Sequence, residues 1–408
     1  MHIFTILQIL AFLITGPNRL QAEPPDQFKS KADSLAQMII IADGHIDLPY
    51  KMRAYEEGWE AYLQLLDQNM PFDEFDLPRA VAGGLNAPFM SIYIPPTYQE
   101  TGGAKALADS LIESVESIVN TYPENFALAA NPHDVEANFK AKKISLPLGM
   151  ENGAGIEGDL ENLQYFFDRG IRYITLTHGK DNRIGDSSYD TTRTWNGLSP
   201  FGRTVVEEMN RLGIMVDVSH VTDETLFDVL AVSKAPVIAS HSSCRYFTPG
   251  WERNLPDKGI RAIAENGGIV MINFGSNFLQ ASSMKAELEI KAALADSGAD
   301  INRKNINAYI AANYDEHPIY ASVGAVADHI DYVKNLVGIE HIGLGSDFDG
   351  LGDTLPVGLK DVSDYPNLLA ELLRRGYTEA EIKKICWENL KRVWQEVLDG
   401  AEVEVVER

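Results

Sequence analysis

The sequence predicts an α/β chain folded as a (β/α)8 TIM-type barrel. Three observations lead there. Eight short apolar runs recur along the chain, segments with helical periodicity separate them, and no Gly-rich phosphate turn follows an early strand. A doubly wound sheet, the competing architecture, would need that turn.

The runs are IIIADGHIDL (39–48), LNAPFMSIYI (85–94), ISLPLGMEN (144–152), IRYITLTH (171–178), IMVDVSH (214–220), APVIASHS (235–242), GIVMINF (268–274) and HIGLGSDFDG (341–350). Each is short, rich in β-branched residues and bounded by polar or turn-forming positions, as buried parallel strands are. Between them TVVEEMNRLG (204–213) and DKGIRAIAENGG (257–268) carry the helical period. The stretch from about 275 to 340 is long for one connection. Its composition (MKAELEIKAALADSG) predicts a helical excursion after strand seven. Helices near 363–375 and 378–399 are expected to close the barrel.

The 408 residues suffice for one large barrel domain, and 45% apolar content supports its core. A formal charge of −24, scattered rather than clustered, excludes nucleic acid and anionic membrane surfaces as partners. The segment IFTILQILAFLITG, with LQA before EPPDQ, reads as a signal peptide over 1–22, leaving a single catalytic domain over 23–408. An exported protein, periplasmic or extracellular and without stable membrane insertion, is expected. The two cysteines, Cys244 and Cys386, lack CxxC spacing, so they form no thiolate metal site and are read as structural or free.

The ends of the strands carry the chemistry. His45 and Asp47, two apart and on one face, end strand one. Glu151 ends strand three, His178 strand four, His220 strand five, His241 strand six and Asp347 strand eight. The carboxyl ends of barrel strands face the active site, so these seven groups converge at one rim. A single strand-end histidine is more often a packing residue than a ligand. Independent packing would not choose the same end of successive strands, and the joint pattern predicts a metal site. His2, His133, His317, His329 and His341 keep the packing or surface reading; His133 and His317 lie in loop-like sequence. Three histidines and two carboxylates exceed what one open tetrahedral ion takes and suit two ions, with Glu151 between them. His45 and Asp47 then serve one ion, His220 and His241 the other. His178 and Asp347 remain for the reacting groups.

DGHIDLP (43–49), MEN (150–152), TLTH (175–178), GLSPFGRTVVEEMNRLGIMVDVSH (197–220), SHSSCR (240–245), RNLPD (253–257) and GLGSDFDG (343–350) resemble the membrane (renal) dipeptidase family, zinc peptidases of family M19. The resemblance runs from about residue 35 to 395 with its blocks in order. It implies a barrel of the metal-dependent hydrolase kind holding two Zn2+ per chain. Their ligands would be His45, Asp47, bridging Glu151, His220 and His241. It implies that His178 binds substrate and stabilises the oxyanion, that Arg253 grips the substrate's terminal carboxylate, and that Asp347 is the acid/base. The implied activity is hydrolysis of free dipeptides, including ones with a C-terminal D-residue, by a bridging hydroxide. Members tend to pair, so a homodimer is an assembly the resemblance allows. The chain departs at Gly275, where mammalian members carry a tyrosine after NF, and it lacks their C-terminal lipid-anchor signal.

A related binuclear barrel amidohydrolase acting on N-acyl amino acids, lactones or phosphotriesters is the nearest rival. Such enzymes commonly open with HxH and carry a bridging lysine on strand four; here the motifs are HID and TLTH. A non-catalytic binding protein would be expected to lose ligands, and none is missing. GLSPFG is not a GxSxG elbow, which removes serine hydrolase chemistry.

Overall fold

The structure is a computed structural model that describes residues 26–70, 73–313 and 319–402. The segment 1–22 expected to be a signal peptide lies outside them, as do His2 and His317. Eight parallel strands form one sheet in chain order: β1 Ile41–Ile46, β2 Leu85–Tyr93, β3 Leu148–Glu151, β4 Ile171–Thr175, β5 Met215–Asp217, β6 Ile238–Ala239, β7 Ile269–Ile272 and β8 Ile342–Leu344. Chain order with helical crossovers is the barrel topology the apolar runs predict.

Closure occurs where β1 meets the residues after β8. Ile46 and Phe348 form a parallel bridge, Asp47 N–H donates to Phe348 C=O (2.9 Å) and Asp347 N–H to His45 C=O (3.1 Å). The seam is fastened by Asp43. Its buried carboxylate accepts the N–H groups of His45 (2.9 Å) and Ser346 (3.0 Å), and the Tyr365 hydroxyl.

Alternate strand residues fill the interior. Ala42, Phe89, Tyr173, Met215 and Met271 pack together there, and Trp394 of the helix Asn389–Asp399 plugs them from the amino-terminal end. A larger apolar layer lies between the strands and the outer helices. Gly149 is required beside Tyr173, since a Cβ there would lie 2.0 Å from the ring.

One strand reading needs correction. Residues 144–152 are not one strand: Pro147 separates Ile144–Leu146, which pairs with Phe126–Leu128 in a two-stranded sheet, from β3. Proline has no N–H to give a ladder, so the pairing partner changes there. His133 also lies elsewhere than expected, in the first turn of the helix Pro132–Lys140, which Asn131 caps through the Asp134 N–H (3.0 Å). Cys244 and Cys386 are both buried and free. Among the described residues no helix is long and apolar enough to cross a membrane.

Between β7 and β8 run the helices Ser276–Leu279, Ala281–Asp296, Arg303–Asn313 and Val323–Val337. His329 on the last of these is buried and joins it to two other segments. Its Nδ1 accepts the Cys244 N–H (3.0 Å), so the proton sits on Nε2 and goes to Leu279 C=O (3.0 Å). Burial pushes His329 down to about 4. A histidine held neutral in the fold protonates first in the unfolded chain. Its stabilisation is therefore complete above pH 6.5 and is lost as pH falls toward 4, by roughly 3 kcal/mol. Urea unfolding between pH 4 and 6.5 should show wild type taking up about one more proton on unfolding than His329→Gln. Equal slopes would rule this out.

Candidate metal centre

β1 delivers His45 within the strand and Asp47 just past it, while Glu151 is the last residue of β3. His178, His220 and Asp347 stand three residues beyond β4, β5 and β8, and His241 two beyond β6. His220 and Asp347 have left-handed backbone, with φ of 68° and 64°. Non-glycine residues adopt that conformation at a cost of about 1–3 kcal/mol, a cost that clusters at functional sites.

The seven side chains do converge. Glu151 lies at the centre: its Oε2 is 3.6 Å from His45 Nε2, and its Oε1 is 3.0 Å from His220 Nε2, 3.4 Å from His241 Nε2 and 3.8 Å from His178 Nε2. His45 Nε2 is 3.5 Å from Asp47 Oδ2. Three groups have ligand atoms mutually within 4.8 Å: His45–Glu151–His241, Glu151–His178–His220 and His45–Asp47–Asp347. These groups cut across the pairing expected from sequence, and His178 and Asp347 each belong to one of them.

Hydrogen bonds fix which nitrogens are lone pairs. The Tyr173 hydroxyl donates to Gly44 C=O (3.0 Å), so its oxygen accepts from His45 Nδ1–H (2.9 Å) and His45 Nε2 is left as an acceptor. The Ser240 hydroxyl donates to Asp217 (2.6 Å), so it accepts from His241 Nδ1–H (2.7 Å), and His241 Nε2 is likewise an acceptor. Asp217 is held in turn by Thr175 Oγ1 and by the N–H groups of Ser219 and Ser240. Such outer partners are characteristic of metal-ligating imidazoles.

The inner atoms of the site stand close together. His220 Nε2 and His241 Nε2 are 2.9 Å apart, and His45 Nε2 and Asp47 Oδ1 are buried without a partner. Donor atoms sharing one tetrahedral zinc lie about 3.3 Å apart, from bond lengths near 2.0–2.1 Å. The spacing and the donor chemistry fit dications.

The electrostatics agree at Glu151, His220 and His241; at His45 burial is outweighed by the facing Tyr173, Glu151 and Asp47, which hold it well above the ordinary imidazole value. Burial opposes ionisation of Glu151, but the facing His178 and His45 and the hydrogen bonds of His220 and His241 outweigh it, holding the carboxyl well below its usual range. Burial, with the Arg253 charge, holds His220 well below the ordinary imidazole value. Burial, with the facing His45, does the same for His241. Both therefore stay neutral, as ligands must. Burial, reinforced by Asp47 and Glu151 and partly opposed by His45, pushes Asp347 up to about 7.

A cavity of about 490 Å3 opens over the centre, walled by Asp47, Tyr93, Glu151, His178, Tyr189 and Asp347 among others. Arg253 stands behind this wall. It is buried, lies 5.1 Å from the Phe278 ring centroid, and donates to Ser242 Oγ (2.7 Å) and His241 C=O (2.9 Å) while its Nε–H has no partner. At Gly275 a Cβ would come within 2.9 Å of Leu351 and Phe278, so these two residues occupy the wall that a side chain at that position would build. Sequence reasoning missed Tyr173, Asp217, Ser240 and Asn273, whose side-chain N–H holds Asp347 Oδ2 at 2.8 Å. Their only signal was their place inside the strand-end blocks.

The comparisons with known proteins agree with this geometry. Residues 29–405 match the family model of the membrane dipeptidases, peptidase family M19. An uncharacterized dipeptidase of Schizosaccharomyces pombe is 34% identical over 373 residues, covering 88% of this chain and 81% of that protein. Among solved structures, the probable dipeptidase PvdM of Pseudomonas aeruginosa superposes with a TM-score of 0.79 at 27% identity, over 93% of this chain and 100% of that one. A metallo peptidase from Rhodobacter sphaeroides, liganded with a phosphinate mimic of the dipeptide L-Ala-D-Ala, gives 0.73 at 25% identity over 88% and 99%.

Tyr173→Phe and Ser240→Ala should each weaken metal binding by roughly 10–100-fold, the usual effect of removing such partners. Competition titration against a chromogenic chelator checks this. Unchanged affinity in both would mean that the tautomers are set some other way.

Proposed function

The chain belongs to the membrane dipeptidase family, a family of metallopeptidases that hydrolyse peptide bonds, and we propose that it cleaves free dipeptides, C-terminal D-residues included, with two zinc ions. The observation that carries this reading is Arg253. A guanidinium has five N–H donors, and here two hydrogen bonds are made while Nε–H is left over in a buried setting. A buried cation with spare donors calls for an anion, and a carboxylate matches its planar fork. A cavity of about 490 Å3 beside it has the size of a small-molecule site rather than a groove for an extended polypeptide.

In this reading His45 and Asp47 would hold one zinc and His220 and His241 the other, with Glu151 shared between them. Glu151 Oε2 is the oxygen placed toward His45 and Oε1 the one placed toward His220 and His241, which supports that division. Bound there, zinc ions supply Lewis acidity for the scissile carbonyl and a water whose pKa is brought toward neutrality. Arg253 takes the substrate's terminal carboxylate and so fixes the peptide bond over the centre. His178 stands on the cavity wall, its Nδ1 3.4 Å from the Tyr93 hydroxyl, and stabilises the oxyanion as a hydrogen-bond donor. Asp347, near neutral in its proton affinity, takes the nucleophile's proton and passes it to the leaving amine.

Metal-stripped protein should regain hydrolysis of Gly-D-Ala on zinc addition, saturating near two ions per chain. Full occupancy without hydrolysis would sink the dipeptidase reading. Asp347→Asn should lose about 10²–10⁴-fold in kcat with both zinc ions retained; loss of an ion would make Asp347 a ligand instead. Arg253→Met should raise KM by about 10–100-fold, the worth of a charged hydrogen bond.

A further inference from the structure

We propose that the ion pair between Arg193 and Glu252 is a positioning clamp that fixes Tyr189 on the cavity wall and Arg253 behind it, and so sets how tightly the substrate's carboxylate end is held. The proposal rests on the dipeptidase reading and extends it to two residues outside the cavity.

Residues 176–199, between β4 and the helix Pro200–Leu212, contain no helix or strand. Side chains fold this stretch instead. Asp181 accepts the N–H groups of Ser187 and Thr194, Asn182 those of Ile184 and Gly185, and Asp186 those of Trp195 and Gly197. Such aspartate and asparagine turns give a defined loop without regular structure. It carries Tyr189 to the cavity wall, with the ring centroid 5.6 Å from that of His220 and 6.3 Å from that of Trp251.

Arg193 ties this loop to the next. Its guanidinium donates to Ser187 C=O (2.9 Å) and Asp190 C=O (2.6 Å) in its own loop, then pairs with Glu252. Glu252 immediately precedes Arg253. Its second oxygen accepts the N–H of Asp223 (3.1 Å), the first residue of the helix after β5, and its C=O accepts from Arg245 (3.0 Å). One glutamate therefore fastens the rims that follow β4, β5 and β6.

Isolated surface pairs contribute little to stability, and stability alone is a poor reason for this one. Arg193 reaches Glu252 from left-handed backbone, φ 55°, a conformation unfavourable for a residue with a side chain. Neither residue lines the cavity, so each acts through its neighbours: Tyr189 on one side, Arg253 on the other.

The test is steady-state kinetics on Gly-D-Ala with zinc content measured in parallel. Arg193→Gln and Glu252→Gln should each raise KM by about 10-fold with kcat nearly unchanged and both metals bound, the signature of lost uniform binding. The double variant should be no worse than either single, because the two share one interaction. Exchanging the pair, Arg193→Glu with Glu252→Arg, should recover part of the loss. Unchanged KM in both singles, additive losses, or a fall in kcat with metal would overturn the clamp while leaving the dipeptidase reading intact. A wild-type enzyme that cleaves no dipeptide when fully loaded would overturn both.

Discussion

The site depends on one buried carboxylate that takes no part in its chemistry. Asp43 stands at the seam where the first strand meets the segment after the last, and accepts from His45 N–H, Ser346 N–H and the Tyr365 hydroxyl. Burial pushes it up to about 6, against the pull of those hydrogen bonds, so the seam holds an acid in a setting that resists its charge. What the fold gains is register. With Asp43 between the strands, His45 and Asp347 exchange a backbone hydrogen bond, as do Asp47 and Phe348. A slip of one residue would turn His45 and Asp47 off the rim together, because strand side chains alternate.

From that seam the arrangement spreads through hydrogen-bond direction rather than packing. The interior plug reaches the metal centre by way of Tyr173: its ring packs on Phe89, Phe89 packs on Trp394, and its hydroxyl holds His45. Asp217 does the same for His241 through Ser240. The cluster is thus built round imidazoles of which two, His45 and His241, have their outer nitrogens committed to the fold. With two dications, the ligand carboxylates Asp47 and Glu151 and a deprotonated water, its charge would come to about +1, suited to an anionic transition state.

The strands and the rim were legible because barrel geometry ties both to simple patterns. Buried parallel strands are short apolar runs, and their carboxyl ends must carry the functional groups, so the positions of His45, Glu151, His220 and His241 followed from where each run stops. What stayed hidden had no period. Phe126–Leu128 is three residues long, below what alternation can reveal, and Pro147 broke a run that looked continuous. Residues 176–199 are shaped by aspartate and asparagine side chains bonding to backbone several positions away, so Tyr189 and Arg193 could not be placed. The grouping of ligand atoms was also out of reach, since it depends on rotamers around Glu151. The link from His329 to Cys244 and Leu279 joins segments 85 and 50 positions apart.

The two aspartates of the rim sit close enough to the same ligand atoms that proximity alone does not separate their roles, yet their surroundings differ. Asp47 has one oxygen, Oδ1, buried without a partner, while the other, Oδ2, faces His45 Nε2 at 3.5 Å. A carboxylate in that state gains most from a cation. Asp347 has one oxygen held by Asn273, whose own carbonyl oxygen is fixed by Gly275 N–H (2.7 Å), and its backbone is locked in the left-handed region. Holding one oxygen leaves the other to face the cavity in a single orientation. Desolvation favours the protonated form there, and Asn273, as a donor, stabilises the ionised form, so the two effects oppose each other. A group balanced in this way exchanges a proton near neutral pH, whereas a ligand should not. Which oxygens the protein has already engaged is thus what distinguishes the surroundings of Asp47 from those of Asp347.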